Sequence, residues 1–238
     1  MKTIVLVHGM YFGGWCWRKV APPLRAAGHA VYTPSLTGCA ERAHLSGPTI
    51  TIDTFGRDVA NLLRYEDLDD VTLVATSCGG MAVARAAELE PDRVGRLILV
   101  DALIPFAGQS PAETVPAQWA PTWEAGVIAE TDGIAMSQSS LERMHAEFGT
   151  EAGDLLDRLQ TTFPRGPMFE TADLERFWRG GWPATVVWCQ RTHNPPEAVQ
   201  RQAADLLHAE WRPLDSGHYP FFTNAAELAD IILERTAD

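Results

Sequence analysis

No apolar run in this sequence approaches the length that crosses a bilayer. Runs such as Ile4 to Val7 stop short, whereas a spanning helix needs about 20 residues. A signal peptide is also missing, because Met1-Lys2-Thr3 leads straight into Ile4–Val7 and His8-Gly9. The expectation is a cytoplasmic protein with no membrane partner. Basic charge is scarce: 19 Lys and Arg stand against 31 Asp and Glu, a net charge of −12. Phosphate-backbone binding needs clustered Lys and Arg, so no nucleic-acid partner is expected. The four cysteines, Cys16, Cys39, Cys78 and Cys189, contain no C-x-x-C pair. They read as reduced thiols, not as a zinc site or a disulfide framework. The glycine-rich segment after Val7 lacks both G-x-G-x-x-G and a P-loop lysine, which argues against nucleotide binding. Neither a metal nor a cofactor is expected. There is no fixed-period repeat and no low-complexity tract.

What is present is a chain of 238 residues, 46% hydrophobic and 21% charged, enough to bury one large core. Ile4–Val7, Ala30–Thr33, Val71–Ala75 and Arg96–Val100 read as strands. They are apolar without alternation, as strands are when helices cover both sheet faces. Between them, Ile52, Phe55, Val59, Leu62 and Leu63 recur at helical spacing behind a possible Thr51 cap, and Met81–Glu90 forms an Ala-rich helix before Pro91. From Pro105 to Trp182 the texture changes to helical stretches broken by Gly and Pro, rich in Trp, Phe and Met, with no evident strand. The alternation resumes with strand Thr185–Cys189, helix Pro196–Leu207 and strand Glu210–Leu214. Helix Asn224–Arg235 closes the chain, with Asn224 and Glu227 spaced as a capping box. The expected class is α/β: a mostly parallel sheet flanked by helices, residues 1–104 and 183–238, with an inserted helical cap over 105–182.

Three local patterns carry chemistry. In Val71-Thr-Leu-Val-Ala75-Thr76-Ser77-Cys78-Gly79-Gly80 a buried strand runs directly into a helix with a serine at the bend. Such an elbow pushes one hydroxyl out above the sheet and requires tiny neighbours. Ala75 stands where G-x-S-x-G has its first glycine. A helix-capping serine would leave the same local pattern. In Val5-Leu6-Val7-His8-Gly9-Met10 a strand ends in a glycine-rich loop. The amides of Met10 and Cys78 occupy the two positions from which an oxyanion hole is built. His8 itself reads as structural. In Leu214-Asp215-Ser216-Gly217-His218 an imidazole follows the last strand, where a general base can reach a hydroxyl on another strand end. The other histidines lie near helix ends, in loops or, for His193, just after the preceding strand.

Across nearly the whole chain the sequence resembles the α/β-hydrolase superfamily. It is most similar to plant methyl esterases, hydroxynitrile lyases and their bacterial esterase relatives. The likeness is carried by VLVHGMYFGGWCW (5–17), Ser77-Cys78-Gly79-Gly80, Val100-Asp101-Ala102-Leu103-Ile104-Pro105 and Gly217-His218. The resemblance implies Ser77 as nucleophile, His218 as base, and the Met10 and Cys78 amides as the oxyanion hole. In that family the acid sits just past the penultimate strand, but here Trp188–Pro196 contains no carboxylate and Thr192 stands in its place. Asp101 at the end of the fourth strand is the leading candidate. Asp215 or Glu197 is a second option, and an acid-free site with Thr192, Asn194 or a water orienting His218 is a third. Ser77 excludes the aspartate-nucleophile reactions of this fold. Tyr219 and Gly9, where the lyases carry Lys and Thr, argue against cyanogenic chemistry. The expected activity is hydrolysis of a carboxylic ester of a small hydrophobic or aromatic substrate through an acyl-serine. A non-hydrolytic elimination or cyclisation enzyme, or a small-ligand binding protein, stays open.

Overall fold

The computed structural model describes residues 1–192 and 194–237. In chain order its elements are β1 (Thr3–Val7), α1 (Ala21–Ala26), β2 (Ala30–Tyr32), α2 (Ile52–Tyr65), β3 (Val71–Thr76), α3 (Gly79–Leu89) and β4 (Val94–Val100). The segment that follows holds α4 (Trp119–Ala125), β5 (Val127–Ile128), β6 (Gly133–Ile134), α5 (Gln138–Leu159), β7 (Phe163–Pro164), α6 (Gly166–Phe169) and α7 (Glu175–Arg179). The chain ends with β8 (Ala184–Cys189), α8 (Glu197–Leu206), β9 (Glu210–Leu214), α9 (Pro220–Thr223) and α10 (Ala225–Thr236). Among the described residues, no helix is long and apolar enough to cross a membrane.

Six strands form one parallel sheet in the order β2-β1-β3-β4-β8-β9. Every residue of β3 is buried, which is why its sequence shows no alternation. The outer strands β2 and β9 are more open. Pro213 is tolerated in β9 because an edge strand can do without one donor. The chain passes from β1 outward to β2, then crosses back to place β3 on the other side of β1. This reversal opens a crevice at the carboxyl ends of β1 and β3, where ligands of open α/β sheets bind.

The helices follow the expected physics with two local differences. Thr51 and Thr54 form a reciprocal capping box at the start of α2, and Ile52, Phe55, Val59 and Leu63 are buried beneath it. At α10 the Asn224 side chain bonds Glu227 Oε2 directly, at 2.5 Å, and caps no backbone N–H. The apolar segment between β4 and β8 also contains a small antiparallel sheet, β5-β6-β7, that the sequence reading missed. Its strands are two residues long, too short to leave any periodicity.

His8 stitches the loop after β1 to the neighbouring chain. It is fully buried; Nδ1–H donates to Gly9 O at 2.8 Å, and Nε2 accepts the Leu36 N–H at 3.0 Å. Burial lowers its pKa from 6.5 to about 4. Between those values the unfolded chain binds a proton that the folded chain excludes, so stability falls as pH falls through this window. By about pH 5 the expected loss is about 2 kcal/mol relative to neutral pH. Urea unfolding of wild type and His8→Asn at about pH 7 and about pH 5 checks this. The wild type should lose about 2 kcal/mol more than the variant, and equal losses would contradict it.

Candidate active site

Register sets the site. Val7 of β1 pairs with Ala75 of β3, and Thr76 of β3 pairs with Val100 of β4. His8-Gly9-Met10, Ser77 and Asp101 therefore emerge side by side at the carboxyl edge. Ser77 adopts φ +49°, a left-handed conformation costly for a residue with a Cβ. Hydrogen bonds from Ser77 N to Val100 O (3.4 Å) and from Leu103 N to Ser77 O (2.8 Å) hold it there. The bend also needs bare neighbours. A Cβ on Gly9 would stand 2.7 Å from Ser77 Cβ, and one on Gly79 would stand 2.6 Å from His8 O. The Ala75 methyl fits, buried within β3.

Asp101 is fully buried and also left-handed, at φ +47°. Its N–H donates to Val187 O at 2.9 Å, which ties the bend after β4 to β8. Its Oδ2 lies 2.6 Å from His218 Nδ1. Its Oδ1 accepts the Cys189 N–H at 3.3 Å and the Gln200 Nε2 at 2.7 Å. His218 comes from the loop after β9, braced by Arg191 N–H to Ser216 O at 3.0 Å. Tyr219 sits edge-on to the imidazole with centroids 4.9 Å apart. The Glu147 carboxylate of α5 packs against Gly217, and a Cβ there would make it swing away. Burial raises the Glu147 pKa, opposed by the charge of His218 and the Tyr219 N–H.

Ser77 Oγ contacts Cys78 Sγ at 3.9 Å, and Cys78 Sγ contacts Met168 Sδ at 3.6 Å. Burial pushes the Cys78 thiol up to about 11, opposed by hydrogen bonding from Ser77 and from the backbone of Met10 and of Cys78 itself. The thiol is therefore neutral and a poor nucleophile at pH 7. Ser77, Cys78, Met10 and His218 all line one cavity of about 400 Å³. Tyr11, Phe12, Leu103, Trp119, Trp123 and Met144 give it apolar walls, while Arg143, Glu147 and Arg191 add charge. Of the aromatic residues in 105–182, Trp119 and Trp123 face this cavity, whereas Phe163 and Phe177 are packed in the core.

The other acid candidates lie elsewhere. Asp215 pairs with Arg191 at 2.7 Å and Glu197 with Arg201 at 2.7 Å, both on the surface. Thr192 lines the cavity, but its hydroxyl bonds Asn194 O at 3.2 Å. His193 lies outside the described residues. Sequence reasoning missed Glu147 and Gln200. The available signal for Gln200 was its spacing with Ala204 and Leu207, which puts a polar amide on the buried face of α8.

A doubly covered parallel sheet, with a serine, an aspartate and a histidine following three of its strands at the carboxyl edge, is the layout of the α/β-hydrolase fold. The model described as the alpha/beta hydrolase family matches residues 4–231, and the chain belongs to that family. The carbendazim hydrolyzing esterase of Nocardioides sp. (strain SG-4G) is 41% identical over 138 residues, 58% of this chain and 57% of that protein's length. This match thus spans a little over half of the Nocardioides esterase. Methylesterase 3 of Arabidopsis thaliana is 32% identical, with 98% of this chain and 95% of the relative covered. Two solved structures share the fold. An extracellular α/β-hydrolase from a Paenibacillus species superposes with TM-score 0.85 at 23% identity, covering 98% of both chains. A pyrethroid hydrolase from Sphingobium faniae JZ-2 superposes with TM-score 0.78 at 24% identity, covering 98% of this chain and 96% of the other.

Proposed function

We propose that this protein hydrolyses carboxylic esters of small hydrophobic or aromatic compounds through a covalent acyl-serine. The observation that carries the reading is the Asp101 Oδ2–His218 Nδ1 contact of 2.6 Å beside a serine forced out at a strand–helix bend. The names of the two curated relatives support an ester as substrate. With Nδ1 held by Asp101, Nε2 is the nitrogen left to take the Ser77 proton. Ser77 Oγ then attacks the ester carbonyl, and its hydroxyl turns from Cys78 Sγ to the imidazole as substrate enters, a tightening common on substrate binding. The Met10 and Cys78 amides receive the oxyanion, aided by the N-terminal end of α3. His218 returns the proton to the leaving alcohol, then activates water against the acyl-enzyme while Asp101 stabilises the imidazolium. The acid-free alternatives rested on a histidine with no carboxylate beside it, and Asp101 supports the triad reading instead.

Rapid mixing with p-nitrophenyl butyrate tests the proposal. An initial burst of p-nitrophenolate near one equivalent per protein, or steady turnover lost on prior phosphonylation, is expected. No turnover of this or any short aryl ester would contradict it. The crowding around the bend adds a prediction. Gly9→Ala should displace Ser77 and lower kcat roughly 10- to 100-fold, because misplacement by about 1 Å is that costly. Steady-state kinetics reads this directly, and a variant with wild-type kcat would show that the bend tolerates a methyl group.

A further inference from the structure

Asp101 comes from the end of β4, whereas the resemblance places the acid after β8, where Thr192 now stands. A carboxylate in the new place needs its own means of holding one oxygen on the imidazole. The group available is Gln200, which is 2% exposed and reaches Asp101 from α8. Its Nε2 donates to Asp101 Oδ1 at 2.7 Å and to Pro195 O at 3.2 Å. The amide orientation is chemically forced, since the flipped form would set Oε1 against two acceptors. In the observed form Oε1 is buried with no hydrogen-bond partner among the described residues. An apolar side chain of similar size would pack on this face of α8 with no such penalty, so packing alone does not account for a glutamine here.

We propose that Gln200 is the positioning residue for the acid, fixing the Asp101 carboxylate so that Oδ2 stays on His218. The inference rests on the ester-hydrolase reading above. Aspartate χ2 is broad, so an unrestrained carboxylate plane swings and takes its oxygen out of line with the imidazole. Two donors on Oδ1, the Gln200 amide and the longer Cys189 N–H, single out Oδ2 for the ring. Without Gln200, the bond to Oδ1 that remains among the described residues is the longer one from Cys189, at 3.3 Å.

Kinetics with p-nitrophenyl butyrate on the full chain tests this, using Gln200→Met, which keeps volume without a donor, and Gln200→Asn, whose amide is one methylene short. Each is expected to lower kcat roughly 10- to 100-fold, the scale of a small misplacement of the reacting groups, with KM within about two-fold. In an Asp101→Asn background neither should lower kcat by more than about two-fold further, since the two residues act as one unit. The downfield Nδ1–H proton resonance of His218 should also broaden or move upfield in the Gln200 variants. The proposal is overturned by equal losses in both backgrounds, the mark of a merely structural glutamine. A well-folded Gln200 variant with wild-type kcat and an unmoved resonance overturns it too. If one variant fails to fold, the other decides. Failure of the hydrolase reading looks different: wild type without ester turnover removes that reading and this inference together, whereas Asp101→Asn at wild-type kcat leaves an acid-free hydrolase and removes this inference. A large Asp101 effect with no Gln200 effect removes this inference alone.

Discussion

Asp101→Asn is expected to lower kcat for p-nitrophenyl butyrate by about 10⁴-fold, the scale known for loss of a triad carboxylate, while Asp215→Asn stays within about two-fold of wild type. The geometry explains both halves. Cys189 N–H and Gln200 Nε2 both donate to Oδ1, so an asparagine at this position turns its carbonyl oxygen toward them. Its amide nitrogen then faces His218 Nδ1, which must become an acceptor. The ring proton moves to Nε2, and the imidazole can no longer take the proton from Ser77. Asp215 pairs with Arg191, and its side chain is 77% exposed. An exposed pair of this kind contributes little. Steady-state kinetics on the two variants decides the matter, and small equal effects would argue for an acid-free site.

Ser77→Ala carries the largest expected loss, about 10⁶-fold in kcat, because the covalent route disappears and only the oxyanion site and binding remain. The same variant separates the mechanisms. An elimination or cyclisation enzyme that used only the cavity and His218 would retain most of its activity on its own substrate after this change. A small-ligand binding protein would show no turnover in either form. Comparing wild type and Ser77→Ala with a short aryl ester, with folding checked by circular dichroism, distinguishes these outcomes.

Much of this arrangement was legible in the sequence because it is local. A continuous apolar run, a serine and two glycines define the bend at 76–80. Its strain is visible because only small residues fit beside Ser77. The loop carrying His218 was legible for a similar reason, since it lies between a strand and a helix. Asp101 was one option among three because the contact that distinguishes it from Asp215 joins residues 117 positions apart. No spacing rule reports such a contact. Gln200 is harder still, a single buried amide whose partner lies 99 residues away. Glu147 lies on α5, and its place beside Gly217 and His218 comes from tertiary packing that no local pattern reports. The two-residue strands β5, β6 and β7 escaped because their pairing comes from tertiary contact, not from propensity.

The most direct test is to treat the protein with a fluorophosphonate and locate the adduct by peptide mass spectrometry. One phosphonyl group on the peptide containing Ser77, formed quickly in wild type and greatly slowed in His218→Ala, is the predicted result. An adduct on another residue, or full ester turnover by a protein that takes up no label, would contradict the account.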